Sequence, residues 1–194
     1  MDYVYLMSGW VIYFVLHSVL AAEGVKHWAR NVFGRAFRFY RLIYTLISAG
    51  GLVALLIFNG SILSGILFES VGAVRYLSLM FTTFGVMAVQ LAFRQYRLKS
   101  FVGLAEEKNE LKIEGILKYV RHPIYTGLIL ITMGLFLFIP TIATVISCIC
   151  ILAYLPIGIS LEEKKLMAAF GESYISYKKN VPALVPKILF RNEP

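Results

Sequence analysis

Thr141-Ile-Ala-Thr-Val-Ile-Ser-Cys-Ile-Cys-Ile-Leu-Ala-Tyr-Leu-Pro-Ile-Gly-Ile-Ser160 runs for twenty residues without a single charge. A helix of about 20 apolar residues is about 30 Å long, the thickness of a bilayer's hydrocarbon core. Charges begin just beyond it, at Glu162-Glu163-Lys164-Lys165. The pattern is that of a membrane-crossing helix and its exit. Working outward, four further runs have the same character: residues 3–22, 41–58, 73–93 and 124–139. The last of these is short by itself, and the residues before it can extend it. Residues 59–70 are apolar but short and broken by glycine, so they form a re-entrant or surface piece rather than a span. The first run follows Asp2 with no basic residue, and its apolar stretch exceeds a signal peptide's core, so it is a mature helix.

Composition agrees. Of the 194 residues, 59% are hydrophobic and 15% charged, against about 45–50% and about 25% in soluble chains. The mean hydropathy is +0.74. A disordered, collagen-like or ordinary soluble protein is excluded. The expected fold is all-α and polytopic, with about five transmembrane helices. Residues 124–139 and 141–160 form a C-terminal helical hairpin around Pro140-Thr141, and a cytoplasmic tail helix follows. The chain reads as one domain, 1–194: three N-terminal spans (1–93), a cytoplasmic loop (94–121), the hairpin (122–160) and the tail (161–194).

The net charge of +8 must then sit outside the spans. Lys26, Arg30, Arg35, Arg38 and Arg41 lie between spans one and two; Arg94, Arg97, Lys99, Lys108, Lys112, Lys118 and Arg121 lie between spans three and four. Lys164, Lys165, Lys178, Lys179, Lys187 and Arg191 follow span five, and Arg75 alone falls elsewhere. These regions share one side if the N-terminus is outside and the C-terminus cytoplasmic, the orientation in which positive charge stays inside. The location expected is a bacterial or archaeal inner membrane. Topology accounts for the charge, so no nucleic-acid partner is expected. Three scattered histidines without paired-ligand spacing make no metal site. Cys148 and Cys150 point to different faces of a helix and read as packing. Gly50-Gly51 lies mid-span and suggests close helix packing.

Three places carry possible chemistry. Lys118-Tyr119-Val120-Arg121-His122-Pro123-Ile124-Tyr125 opens span four. Pro123 suits the first turn of a helix, whose exposed N–H groups hold anions. Arg121 and His122 put a fixed cation and an imidazole beside it. The plainer reading is a basic flank with an interfacial tyrosine. The second place is Glu162-Glu163, where a carboxylate would hold an ammonium or a ribose hydroxyl, or would simply pair with a neighbouring lysine. Leu166, Ala169, Phe170, Tyr174 and Tyr177 follow at near-helical spacing, interrupted by Gly171. Residues 181–186, Val-Pro-Ala-Leu-Val-Pro, form a stiff extended end. The third place is His17-Ser18, ionisable and polar within span one. Such residues are functional candidates, or a neutral histidine bonds a neighbouring helix. Neither a phosphate-binding glycine loop nor a Gly-x-Ser-x-Gly elbow is present.

Arg121-His122-Pro123-Ile124-Tyr125, then Leu161-Glu162-Glu163, then Phe170-Gly171 with Tyr174 and Tyr177, resembles the isoprenylcysteine carboxyl methyltransferase superfamily. These integral membrane enzymes use S-adenosylmethionine. The likeness covers the C-terminal half, from Gly115 onward. His17-Ser18-Val19-Leu20-Ala21, the basic loop and the closing Val181 to Pro186 look like the bacterial branch that includes methanethiol S-methyltransferase and NnrU-like proteins. The resemblance implies a cofactor pocket lined by His122, Pro123 and Tyr125 on one side and Glu162 and Glu163 on the other. Arg121, Tyr174 and Tyr177 would complete or brace it. Arg121, His122 and Glu163 become the candidates for the chemical roles, and His17 and Ser18 for the acceptor side. Eukaryotic prenylcysteine enzymes carry additional N-terminal spans that this chain lacks, which counts against a prenylated protein substrate.

Methyl transfer from a sulfonium needs in-line geometry and a desolvated nucleophile. A thiol must ionise from a pKa near 8.5, and Arg121 or the helix start would favour the thiolate. An amine acceptor, such as a phospholipid headgroup, would need His122 as base. The expected partners are therefore a small-molecule or lipid substrate and membrane lipids, with thiol S-methylation favoured over prenylcysteine carboxyl or phospholipid amine methylation. The alternatives are an NADPH-dependent membrane reductase of the related sterol-reductase type and a non-enzymatic membrane subunit.

Overall fold

The computed structural model describes residues 1–95, 111 and 113–186. The expected basic positions Arg97, Lys99, Lys108, Lys112, Lys187 and Arg191 lie outside the described residues. Among the described residues, seven α-helices follow one another: α1 (Asp2–Ala21), α2 (Glu23–Phe33), α3 (Tyr40–Ser61), α4 (Gly72–Gln95), α5 (Pro123–Phe138), α6 (Ile142–Phe170) and α7 (Glu172–Asn180). Short 3-10 turns occupy Gly34–Phe39 and Gly115–Lys118. The described residues contain no strand beyond an isolated bridge between Ile66 and Thr141. This is the all-α membrane architecture that the apolar runs predict. α1, the stretch Glu23–Ser61 that contains α3, α4 and α6 are each long and apolar enough to cross a bilayer, and α5 is a shorter apolar helix.

The short run did not extend backwards. α5 has 16 residues and starts at Pro123 itself, because a proline disfavours helical backbone in the residue before it. The preceding N–H groups are also taken by another segment, described below. At the other end α6 runs further than expected. It continues for 29 residues through Glu162 and Glu163 to Phe170, so both acids sit on a helix and not at its exit.

The chain divides into two compact units, with α6 contributing residues 142–154 to the first and 155–170 to the second. In the first unit, Leu6, Trp10 and Ala143 are fully buried, with Tyr13, Phe14, Leu52 and Ile146 packed around them. Trp10 Nε1 donates to Ser147 Oγ at 2.8 Å, and Ser147 donates to Asn59 Oδ1 at 2.9 Å. This joins α1, α3 and α6 by hydrogen bonds where no water competes, bonds worth about 0.6 kcal/mol each in membranes. Of the mid-span glycine pair, Gly51 packs against the Tyr13 ring, whereas Gly50 has nothing near it.

In the second unit α4 and α5 pack through glycines the sequence did not single out. A Cβ on Gly127 would lie 2.6 Å from the Gly85 carbonyl oxygen, and one on Gly134 would lie 2.2 Å from Thr82 Oγ1. The two backbones approach as small residues allow in membranes. Gly127→Ala is therefore expected to cost about 1–3 kcal/mol, the usual penalty of overpacking. Gly50→Ala should leave stability unchanged. Thermal unfolding of both variants in detergent checks the contrast, and equal midpoints would contradict the packing.

Candidate active site

The second unit gathers a charged cluster from three separate parts of the chain. Its foundation is the start of α5. Pro123 opens the helix, and the His122 carbonyl accepts from the Thr126 N–H at 3.1 Å. Before it, the Arg121 N–H donates to the Pro182 carbonyl at 2.9 Å and the His122 N–H to the Ala183 carbonyl at 3.0 Å. Thr126 Oγ1 donates to the Leu184 carbonyl at 2.7 Å. The extended, proline-rich tail thus lies along residues 121–126. Proline keeps that tail out of a helix and leaves its carbonyls to accept from elsewhere.

The second part is α6. Glu163 is buried there, its side chain 9% exposed, whereas the Glu162 side chain is 40% exposed. Adjacent residues on a helix point about 100° apart, which separates their fates. Glu163 Oε1 accepts from Arg121 Nη2 at 2.6 Å, from Arg121 Nε at 3.2 Å and from His122 Nε2 at 3.2 Å. Glu163 Oε2 accepts from Lys178 Nζ at 2.5 Å.

The third part is α7. Over fifteen residues, a continuous helix would carry Lys178 about 22 Å along the axis from Glu163, beyond the reach of their side chains. The helix breaks at Gly171, whose φ of +53° is a left-handed conformation open to glycine. The expected stripe therefore splits, with Leu166, Ala169 and Phe170 on α6 and Tyr174 and Tyr177 on α7. The turn lets α7 return Lys178 to Glu163.

Arg121 is committed within the protein. Besides Glu163, its Nη1 donates to the Lys178 carbonyl at 2.9 Å and to the Val181 carbonyl. It ties α6, α7 and the tail together. His122 is buried with its ring edge-on to Tyr125, centroids 5.6 Å apart. A carboxylate only accepts, so Nε2, facing Glu163, carries a proton. Nδ1 is left toward Glu162, 3.7 Å from its Oε2.

The two tyrosines differ. Tyr177 donates to the Leu117 carbonyl at 2.6 Å and braces the turn before α5. Burial pushes its pKa up to about 12, against a lowering by Arg121. Tyr174 is 1% exposed, and its hydroxyl has no hydrogen-bond partner among the described residues. Burial first, and then the charge of Glu163, push its pKa upward. It remains a phenol with a proton to donate.

The structure thus brings Arg121, His122, Pro123, Tyr125, Glu162, Glu163, Tyr174 and Tyr177 to one end of the second unit. Lys178 belongs with them. The signal for it was its place one turn beyond Tyr174 on the same helix face. His17 and Ser18 lie in the first unit with partners there: His17 Nδ1 is 3.2 Å from Ser48 Oγ, the Tyr44 hydroxyl is 3.2 Å from the imidazole, and Ser18 Oγ is 2.8 Å from the Tyr154 hydroxyl. The bond to a neighbouring helix is the plainer of the two readings of His17. Among the described residues no three His, Cys, Asp or Glu side chains are grouped to hold a metal ion.

Comparison with known proteins gives this arrangement its context. The model of the NnrU protein family matches residues 5–186. A methanethiol S-methyltransferase of Crocosphaera subtropica is 30% identical, over 91% of this chain and 72% of its own length. One from Pseudomonas deceptionensis is 26% identical over 91% of this chain and 70% of its own. The protein-S-isoprenylcysteine O-methyltransferase of Schizosaccharomyces pombe is 32% identical over 44% of this chain and 38% of its own. No solved structure matches significantly. Fold and relatives define an integral membrane methyltransferase. The chain belongs to the NnrU family, within the isoprenylcysteine methyltransferase-like superfamily.

Proposed function

We propose that the protein transfers a methyl group from S-adenosylmethionine to a small thiol, and that the end of the second unit around His122 and Glu162 holds the donor. The residues present fit that cofactor. It carries an ammonium and ribose hydroxyls, and Glu162 offers a half-exposed carboxylate beside His122. Tyr174 offers a buried, protonated hydroxyl beside Arg121 and Glu163. When bound, the cofactor supplies an electrophilic methyl group on a sulfonium. The protein's part is orientation and exclusion of water. Pro123 and Tyr125 frame the imidazole, Tyr177 braces the turn, and Glu163 and Lys178 hold the framework with Arg121.

The geometry supports a positioning role for Arg121. Its donors are engaged by Glu163 and by tail carbonyls, so it is poorly placed to stabilise a thiolate. His122 touches both glutamates and is the group suited to move a proton, at Nδ1. His17 and Ser18 are the acceptor-side candidates.

The thiol acceptor is supported by the extent of likeness: the methanethiol S-methyltransferases of Crocosphaera subtropica and Pseudomonas deceptionensis each align with 91% of the chain, and the Schizosaccharomyces pombe prenylcysteine enzyme with 44%. The charge distribution supports an N-terminus outside and a cytoplasmic tail, and the bacterial relatives support the inner membrane of a bacterium or archaeon. We read 1–194 as one functional unit. Purified protein in detergent, given labelled S-adenosylmethionine and a panel of small thiols, prenylcysteines and lipid amines, tests the reading. Label is expected in the small thiols. Label only in prenylcysteine would move the assignment to carboxyl methylation, and NADPH binding without donor binding would overturn it. Lys179→Cys, at an exposed position, should react with a cytoplasmic thiol reagent; labelling from outside would overturn the topology.

A further inference from the structure

We infer that α2 and the 3-10 turn after it form a binding surface for anionic lipid headgroups, lying in the plane of the membrane between α1 and α3. The sequence marked this region only as a basic loop. In the structure it is helical, and its two faces are sharply different. At 100° per residue, Val25, Trp28, Ala29, Val32 and Phe33 of α2 share one side, and Glu23, Lys26, His27, Arg30 and Asn31 the other. Protein covers little of the apolar side. Ala29 is buried, but Trp28, Val32 and Phe33 are 60, 56 and 51% exposed.

The occupant follows from position and charge. α1 ends at Ala21 and α3 begins at Tyr40, and the two pack together in one unit. Both are span-length helices, so the link between them begins and ends at the membrane surface. A helix with bulky apolar residues on one side and cations on the other settles at that surface with its apolar side in the acyl boundary. The cations then face the headgroups. Between residues 23 and 41 the sequence has five lysines and arginines and a single acid, Glu23. That acid pairs with Lys26 at 2.7 Å. Arg30 and Arg38 are instead poised over aromatic rings, 4.9 Å from the centroid of Phe37 and 4.6 Å from that of Phe39. Such stacking fixes a guanidinium without neutralising it. With Arg35 and Arg41 exposed beside them, the surface carries four cations that no carboxylate of its own segment balances. Anionic lipid supplies the missing charge.

The inference rests on α1 and α3 spanning the bilayer, and is independent of the methyl-transfer reaction. The test places the full-length protein in vesicles of mixed phosphatidylglycerol and phosphatidylcholine, with one or the other lipid brominated in its acyl chain. Bromine quenches tryptophan on contact, and Trp28→Phe supplies the background from Trp10. Trp28 should be quenched several-fold more by brominated phosphatidylglycerol than by brominated phosphatidylcholine at equal mole fraction. Removing one cation changes lipid preference by about fivefold at most, so Arg30→Gln with Arg38→Gln should reduce the difference strongly, leaving only the share of Arg35 and Arg41, while Trp28 stays quenched by both lipids. High salt should weaken the preference in the same way. Equal quenching of the unaltered protein by the two lipids would overturn the anionic preference. Absence of any Trp28 quenching would overturn the interfacial placement. If the double variant kept the preference, the arginines would not be its source and the inference would fail.

Discussion

Replacing Glu163 with alanine is expected to abolish methyl transfer and to remove about 3–5 kcal/mol of folding stability, the cost of leaving a buried charge without its partner. The exposures of the Arg121 and Glu163 side chains are 8 and 9%, so water cannot replace the lost carboxylate. Lys178 would lose its partner as well. A charged residue that fills no apolar core is ordinarily dispensable for folding. The structure shows instead that one carboxylate joins the start of α5, α6 and α7. Arg121→Ala should be destabilising for the same reason, whereas Lys164→Ala, exposed on the next position of α6, should behave as the unaltered protein. Thermal unfolding in detergent and initial rates with a responsive thiol check all three. A Glu163→Ala protein that unfolds normally and turns over normally would remove the framework role assigned to Glu163.

The second large effect separates the two adjacent acids. Glu162→Gln should raise the KM for S-adenosylmethionine by about 10- to 100-fold, since a hydrogen bond to a charged group contributes about 1.5–3 kcal/mol. The unfolding midpoint should not move, because the Glu162 side chain is 40% exposed and comes only within 3.7 Å of the His122 ring. Glu162→Asp, which keeps the charge on a shorter arm, should recover part of the affinity. Direct titration of donor binding by calorimetry, without acceptor, distinguishes this from an effect on turnover. An unchanged donor affinity with a lowered unfolding midpoint would reverse the assignment and make Glu162 the structural acid. Tyr174→Phe gives an independent reading of the same pocket. Removing this buried hydroxyl should weaken donor binding and change stability by about 1 kcal/mol at most.

Much of this protein is local and therefore legible in its sequence. Uninterrupted apolar length near residues 141–160 is enough to place a spanning helix, because a bilayer sorts segments by hydrophobicity and length. Pro123 starts α5 for a covalent reason, its fixed φ and missing N–H, and the prolines of residues 181–186 keep that end extended for the same reason. The site residues were also findable, since the Arg-His-Pro-x-Tyr and Glu-Glu groups stand out against a chain with so few charges.

What only the tertiary structure decided are the pairings across long separations. Arg121 meets Glu163 across 42 residues and the Lys178 carbonyl across 57. No period in the sequence encodes such a meeting. It depends on the left-handed turn at Gly171, which brings Lys178 back, and on the tail lying along residues 121–126. The roles of Glu162 and Glu163 were likewise undecided in the sequence. They are chemically identical neighbours, and only the rotation of α6 about its axis makes one a buried counterion and leaves the other open to a ligand. The close approach at Gly85, Gly127 and Gly134 follows the same logic. Chain order supplies the small residues, but which of them face a partner is set by how α4 and α5 pack.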